Sequence, residues 1–382
     1  MDIQHKLNLL SDAAGFDVDE AAQVAACATA GQPMPNGKAV TIAAQHIQPL
    51  VRSDGKRVPV LKVLQTSACA KDCYYCPFRA GRDFRRGTFK PDELAQATDQ
   101  LYRAGRIHGL FLSSGIVGRG EYSQEQIIKT AELLRGKYGF RGYLHLKLMP
   151  NSSAAAVERT MQLADRVSVN LEAPTVDALH RLSGTKDLDG LLQPLRLAHS
   201  LAPGVGRRVS RVTQFVVGPG GESDRDLLAR TDQLYRQFGL ARAYYSAFRP
   251  VSNTPLDGLT ATPPQREHHL YQSDFLVRQY GYAVEELPFD AQGNLPLDRD
   301  PKVVWAEQRP DLFPIEVNHA SREWLLRVPG IGPKSADRLL AARRVRRVRE
   351  VGDLAKLGVA VNRALPYILL DGKRPAHQLS LW

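Results

Sequence analysis

Between Val60 and Ser246 the chain alternates short, β-branched apolar runs with longer amphipathic stretches, and few folds satisfy that rhythm. The strand candidates are Val60–Leu64, Gly109–Ser113, Tyr143–Leu148, Val167–Leu171, Val212–Val217 and Ala243–Ala247. Helical patterns lie between them, among them Pro91–Ala104 with proline at its start, Gln124–Tyr138, Ala154–Ala164 and Asp224–Phe238. Strand alternating with helix six times predicts βα units around a parallel sheet. Six is fewer than the eight strands of a closed barrel, so the expected class is α/β with an open, partial (β/α)6 barrel. In such folds the reactive groups sit in loops after the C-terminal ends of strands.

The loop after the first of these strands reads Cys69-Ala-Lys-Asp-Cys73-Tyr-Tyr-Cys76-Pro77 and holds three of the four cysteines. Thiolates are preferred ligands of iron–sulfur clusters and zinc. Three donors are one short of a closed site, and it is catalytic centres that keep a position open. A structural zinc knuckle completed by histidine would be expected to pair C-x2–4-C with a second pair downstream, and none follows. The fourth cysteine, Cys27, lies in the alanine-rich stretch Val18–Ala30, read as a helix ended by Gly31, Pro33, Pro35 and Gly37. A lone thiol there reads as core.

The chain has 382 residues, 43% hydrophobic and 24% charged, which suits a soluble protein of two or three domains. No apolar run reaches transmembrane length, the start lacks the features of a signal peptide, and the clustered cysteines fit a reducing cytoplasm. Charge is unevenly placed. From Ser321 to Trp382 there are 13 Lys and Arg against 5 Asp and Glu, a net +8, which leaves only +3 of the total +11 for the preceding residues. A near-neutral body with a basic tail predicts a polyanionic partner for the tail.

The C-x3-C-x2-C spacing, the aromatic Tyr75 before the last cysteine and the position after a first strand resemble the radical S-adenosylmethionine (SAM) enzymes. The resemblance covers about Val60 to Pro255. It implies that Cys69, Cys73 and Cys76 hold a 4Fe–4S cluster whose fourth iron takes the amino and carboxylate groups of SAM. It also implies reductive cleavage of SAM to a 5′-deoxyadenosyl radical, chemistry that ordinary side chains cannot supply. Tyr75 would mark the adenine side. Where the family often has Gly-Gly-Glu-Pro after the second strand, this chain has Ser113-Ser114-Gly115-Ile116, leaving Gly115 and the serines as substitutes. Ser168-Val169-Asn170-Leu171-Glu172 resembles the ribose-binding strand, with Asn170 and Glu172 two apart and so on one face. The loop from Val217 through Gly218 to Glu222 is similar to the glycine-bearing loop near adenine. No auxiliary cluster is expected, because no second cysteine group exists. A hydrogen-returning residue, if one is used, would be Cys27, Tyr244 or Tyr245.

Two basic features point to nucleic acid. Just past Cys76, Arg79, Arg82, Arg85, Arg86 and Lys90 interleave with Phe78, Phe84 and Phe89, which reads either as a solvated loop or as phosphate contacts with base stacking. Near the C-terminus, Leu325 to Ala336 runs through Pro329-Gly330-Ile331-Gly332-Pro333-Lys334-Ser335 and on to Arg343, Arg344, Arg346, Arg347 and Arg349. Two glycines make a tight turn, the following helix starts with free N–H groups, and Lys334 adds charge. This resembles the helix-hairpin-helix of DNA repair proteins, which hold backbone phosphates without reading sequence. Asp353 to Val359 reads as a degenerate second copy.

The expected organisation is an N-terminal helical extension and hairpin over residues 1–55 and the barrel over 56–285. A proline- and aspartate-rich linker over 286–320 and an all-α helix-hairpin-helix domain over 321–382 complete it. The expected function is a radical SAM enzyme acting on DNA in base modification or repair, resembling a radical SAM family described in those terms. It would take electrons from a flavodoxin or ferredoxin. A non-catalytic DNA-binding protein with a structural or redox-sensing cluster, and an RNA-modifying enzyme, stand as alternatives.

Overall fold

The structure is a computed structural model that describes residues 2–14, 47–51, 57–118 and 120–375. The helix read over Val18–Ala30, with Cys27, and the turn of the hairpin expected within residues 1–55, Ser53-Asp54-Gly55-Lys56, lie outside the described residues. The chain forms two compact units, Met1–Glu222 with Gln233–Thr262, and Ser223–Asp232 with Pro263–Trp382.

In the first unit, helix α1 (Ile3–Ala14) buries Leu7 and Leu10 and ties down through Lys6, whose ammonium lies 2.6 Å from the Glu93 carboxylate. Seven strands follow in spatial order: β1 (Ile47–Val51), β2 (Arg57–Leu64), β3 (Gly109–Ser113), β4 (Tyr143–Lys147), β5 (Arg166–Glu172), β6 (Ser210–Val217) and β7 (Arg242–Ala247). β1 runs antiparallel to β2, and β2 to β7 are parallel throughout. The six expected parallel strands therefore all form as a half-barrel. Ahead of them, the end of the N-terminal segment, where a hairpin is expected, is strand β1, paired antiparallel with β2.

Helices join the parallel strands: α2 (Pro91–Arg103), α3 (Glu121–Glu132), α4 (Ala154–Leu163), α5 (Val176–His180), α6 (Leu188–Leu201) and α7 (Asp224–Phe238). Helix α3 ends in a π turn, Leu133–Lys137. Alternation along each strand sorts the two faces of the sheet. Leu61, Val63, Leu110, Leu112, Leu144, Leu146, Val167, Val169, Phe215 and Tyr245 are all nearly or wholly buried under the helices. The opposite face carries Lys62, Phe111, His145, Ser168, Gln214 and Tyr244, a mostly polar layer that is also buried, where the His145 ring stacks on Phe111 at 4.0 Å and bonds Ser168 Oγ at 2.9 Å. Tyr244 and Tyr245 thus fall on opposite faces, with Arg166 donating to the Tyr244 hydroxyl at 3.1 Å and Tyr245 packed against Phe215.

The second unit holds α8 (Pro264–Tyr280), α9 (Pro301–Glu307), β8 (Ile315–Glu316), α10 (Arg322–Arg327), α11 (Pro333–Val345), α12 (Val351–Lys356), α13 (Val361–Ala364) and β9 (Ile368–Leu369), with β8 and β9 paired in parallel. Its core gathers Leu325, Leu326, Val328, Ile331, Leu339, Leu354, Val359 and Ile368. Within the proline- and aspartate-rich stretch, Asp300 caps α9 and Trp305 is buried, its ring T-shaped against Tyr282 at 5.1 Å. Among the described residues no helix is long and apolar enough to cross a membrane.

Candidate functional site

Parallel strands end on one edge of their sheet, and the loops that follow β2, β3, β5 and β6 carry the residues singled out around the cysteines. After β2 the chain is held to its neighbour by the Gln65 N–H donating to the Ser113 carbonyl at 2.8 Å. Ala70 N–H then donates to Ile116 O, and Gly115 N–H to Thr66 O, both at 2.7 Å. The two loops lie so close that a Cβ on Gly115 would sit 2.2 Å from the Ala68 carbonyl oxygen. Gly115 is a packing glycine at this crossing. Ser113 is buried, and Ser114 Oγ donates to the Gly115 carbonyl at 2.8 Å.

Each cysteine has a donor or a cation beside it. Ile116 N–H donates to Cys69 Sγ and Phe78 N–H to Cys76 Sγ, each at 3.4 Å. Cys73, the buried one, has the Lys186 ammonium next to it. Burial pushes the Cys73 thiol up, Lys186 pulls it back, and the Glu172 carboxylate opposes Lys186 more weakly. Burial, with Cys73 adding to it, pushes Cys76 up to about 12. Burial keeps Cys73 and Cys76 protonated, and a metal bound there would displace their protons.

Glu172 and Lys186 form a buried pair with 2.8 Å between Oε1 and Nζ. Burial alone would lower Lys186, but Cys73 and Glu172 outweigh it and keep it charged. The carboxylate reaches this position through strain. A bulge between Asn170 and Glu172 interrupts the register with β6, and Glu172 has φ +65, rare outside glycine. Simple alternation from Asn170 therefore does not place Glu172; the bulge does. Its Oε2 is buried with no hydrogen-bond partner. Tyr75 lies beside it, its hydroxyl held far above the ordinary range by burial and then by Glu172. Gly218, at φ +112 after β6, donates its N–H to the Glu222 carboxylate.

Two residues that the sequence did not single out organise this edge. Asp72, between the first two cysteines, accepts from Ser183 Oγ at 2.6 Å, Thr185 Oγ1 at 2.7 Å, and the N–H groups of Gly184 at 3.1 Å and Thr185 at 3.2 Å. Tyr74 N–H donates to Leu182 O at 2.8 Å and Lys71 Nζ to Thr185 O at 3.0 Å. This clasp delivers Lys186. No local pattern reveals it, because the partners lie over a hundred positions apart in sequence.

The arginine-rich loop after Cys76 is braced from within. Arg86 donates to the carbonyls of Ser67, Phe78, Arg79 and Arg82 and stacks 4.3 Å from the Phe84 ring. Arg82 donates to Pro77 O and Ser252 O, and Arg79 to Asp72 O, whereas Asp83 and Arg85 stand exposed. The spacing of cations and rings, read as a phosphate surface, here also holds the loop's own carbonyls.

In the second unit, α10 and α11 meet at Gly330-Ile331-Gly332. Gly330 has φ +84, and a Cβ there would lie 2.5 Å from the Ala360 carbonyl oxygen. The buried Lys302 ammonium donates to Ile331 O at 2.7 Å and lies 4.5 Å from the Tyr280 ring. Lys334, Arg338 and Arg344 are exposed, whereas Arg343 turns back onto the carbonyls of Val317 and Ala320 at 3.0 and 2.6 Å. A second hairpin joins α12 to α13 and packs reciprocally on the first. Ala360 N–H donates to Gly330 O at 2.9 Å, and Ser335 Oγ donates to the carbonyl of Gly358, itself at φ +81.

The Radical SAM superfamily model matches residues 63–234, and the helix-hairpin-helix motif matches residues 316–342. The chain carries a radical SAM domain and a C-terminal helix-hairpin-helix motif. Solved structures that align with part of the chain include the FeFe-hydrogenase maturase HydG from Carboxydothermus hydrogenoformans, at 13% identity and TM-score 0.46, covering 57% of this chain and 51% of that one. Methylornithine synthase (PylB) aligns at 14% identity and TM-score 0.45, covering 57% and 61%. Coproporphyrinogen III oxidase (HemN) from Escherichia coli, a radical SAM enzyme by its description, aligns at 15% identity and TM-score 0.40, covering 67% and 59%. The chain spans between about half and three-fifths of the length of these structures. No curated protein matched the sequence.

The cofactors of the radical SAM domain are a 4Fe–4S cluster and SAM, and the residues fit both. Among the described residues no three His, Cys, Asp or Glu side chains converge as ligands of one ion. Three thiols on one loop, two of them bonded by backbone N–H groups, are the donor set that would hold three irons of such a cluster. The buried Glu172 carboxylate, set between Lys186 and the Tyr75 hydroxyl, is an acceptor of the kind that a SAM hydroxyl or amino group bonds.

Proposed function

We propose that this protein is a radical SAM enzyme acting on a polynucleotide, DNA in the first instance, in base modification or repair. When bound, the cluster and SAM supply a 5′-deoxyadenosyl radical for hydrogen abstraction. Cys69, Cys73 and Cys76 would hold the cluster, with Ile116 N–H and Phe78 N–H bonding two of the sulfurs. Glu172 and Asn170 would bind SAM from β5, Ser113, Ser114 and Gly115 from the loop after β3, Tyr75 from the cysteine loop, and Gly218 from the loop after β6. A one-electron donor such as flavodoxin or ferredoxin in a reducing cytoplasm would serve the cluster.

The observation that carries the polynucleotide reading is the hairpin. Its Ile331 carbonyl is drawn inward by Lys302, and Lys334, Arg338 and Arg344 stand exposed on the helix that follows. Backbone amides and cations at a helix start suit phosphate, whatever the base sequence. Gly330, Gly332, Lys334 and Arg344 are the proposed contacts in this unit, with Arg343 bracing the helix and the buried Ser335 tying it to the second hairpin; in the first unit Arg85 is the exposed cation beside Arg79, Arg82 and Arg86. A target base would have to leave its stack to reach a barrel mouth.

Binding of duplex DNA, single-stranded DNA and structured RNA at several salt concentrations tests this. Affinity should fall steeply with salt and vary little with sequence. A chain lacking residues 321–382 that binds DNA as well as the full chain would refute the hairpin's role.

A further inference from the structure

Of the three sulfurs in the cysteine loop, two take backbone N–H donors, and the most buried has a cation beside it instead. That cation is positioned from two directions. The Asp72 clasp fixes Ser183, Gly184 and Thr185, the residues just before Lys186, onto the cysteine loop through four hydrogen bonds of 2.6 to 3.2 Å. Glu172, strained at φ +65 on the β5 bulge, takes the ammonium at 2.8 Å. Both side chains of this pair are less than a tenth exposed, so water screens their charges little. Backbone strain and a buried charged pair are costly features that a folded protein keeps where they serve a site.

Lys186 bonds the Cys73 sulfur as well as the Glu172 carboxylate, so its ammonium lies between the two. Reducing a cluster by one electron adds one negative charge to it and its ligands, and nearby cations and sulfur hydrogen bonds favour that reduced state.

Building on the assignment of Cys69, Cys73 and Cys76 as cluster ligands, we propose that Lys186 is a positioning residue that sets the cluster's reduction potential. Held beside Cys73 by Asp72 and Glu172, it raises that potential by stabilising the charge that reduction adds.

The test is a potentiometric titration of the anaerobically reconstituted full chain, without SAM, followed by the spectrum of the reduced cluster. Wild type, Lys186→Met, Lys186→Arg and the double variant Glu172→Gln/Lys186→Met are compared at equal iron content. Lys186→Met should lower the reduced-to-oxidised ratio at fixed potential at least tenfold, a shift of about 59 mV for one electron. Lys186→Arg should stay within about threefold of wild type, because it keeps the charge. Because Lys186→Met leaves the buried Glu172 carboxylate without its ammonium, the double variant, which removes both charges, serves as the control for folding and should shift in the same direction by less. A full-iron Lys186→Met at the wild-type potential overturns the proposal, and so does a double variant at the wild-type potential if the single variant does not fold. If the wild-type chain takes up no cluster, or a Cys73→Ala chain keeps one of unchanged spectrum, it is the ligand assignment that fails.

Discussion

Replacing Gly115 with alanine puts a Cβ 2.2 Å from the Ala68 carbonyl oxygen and 2.9 Å from its carbon. Gly115 is not at positive φ, so the penalty comes from the close approach rather than from backbone strain. Both contacting atoms are backbone, and relief means moving the start of the cysteine loop by about an ångström, given that carbon–oxygen contacts below about 3.3 Å are repulsive. That movement strains three bonds: Gly115 N–H to Thr66 O, Ala70 N–H to Ile116 O and Ile116 N–H to Cys69 Sγ. At about 1 kcal/mol for each backbone bond, the loops lose roughly 2–3 kcal/mol of mutual stabilisation. The effect is local, because the helix-facing layer of the sheet is untouched. Iron retention against a chelator reads it directly. Gly115→Ala should lose its cluster about 30-fold faster than wild type, using tenfold per 1.4 kcal/mol, with little change in thermal unfolding. Ser114→Ala, which removes one bond at a half-buried position, should stay within about fivefold. A Gly115→Ala chain with wild-type iron content and chelator resistance would refute the close-packed crossing of the two loops.

Three further outcomes follow from named contacts. Asp72→Ala removes the acceptor of four hydrogen bonds, so amide exchange over 182–186 should accelerate by roughly 30-fold while exchange in β2 and β3 stays unchanged. Burial lowers the Lys302 ammonium to about 7, with Asp300 opposing it. Between about pH 7 and the ordinary lysine value near 10.4, the unfolded chain therefore binds a proton that the folded chain has released. Stability of the second unit should rise with pH across that window, by at most about 1.4 kcal/mol per pH unit, and lose this contribution to its slope below it. Urea unfolding should show a shallower dependence for Lys302→Met, and an identical slope would remove Lys302 from the explanation. Lys334→Gln should weaken DNA binding about equally for all sequences and reduce the salt slope by roughly one.

The strand pattern was legible because each parallel strand is apolar on its helix-facing side, so all six fall within three residues of their expected ends. Helix α6 was harder to read, since Gly190 and Pro194 interrupt its pattern; the structure tolerates both within the first two turns after the Asp187 cap. The cysteines announce themselves by spacing. Lys186 and Asp72 do not, because their meaning comes from a contact between the loops after β2 and β5. Glu172 was found by analogy with a strand, yet its position depends on a bulge that strict alternation cannot foresee. Arg86 shows the reverse failure: a cation among aromatics reads as a surface for phosphate, while four nearby carbonyls occupy its guanidinium.

The most direct test joins the two halves of the proposed function in one tube. The anaerobically reconstituted chain, supplied with dithionite and SAM, should form 5′-deoxyadenosine, and the rate should rise when DNA carrying the right base or lesion is added. Lys334→Gln should blunt that rise without changing the rate in the absence of DNA. A well-formed cluster that cleaves no SAM would contradict the enzyme reading, and cleavage indifferent to every polynucleotide would contradict the substrate class.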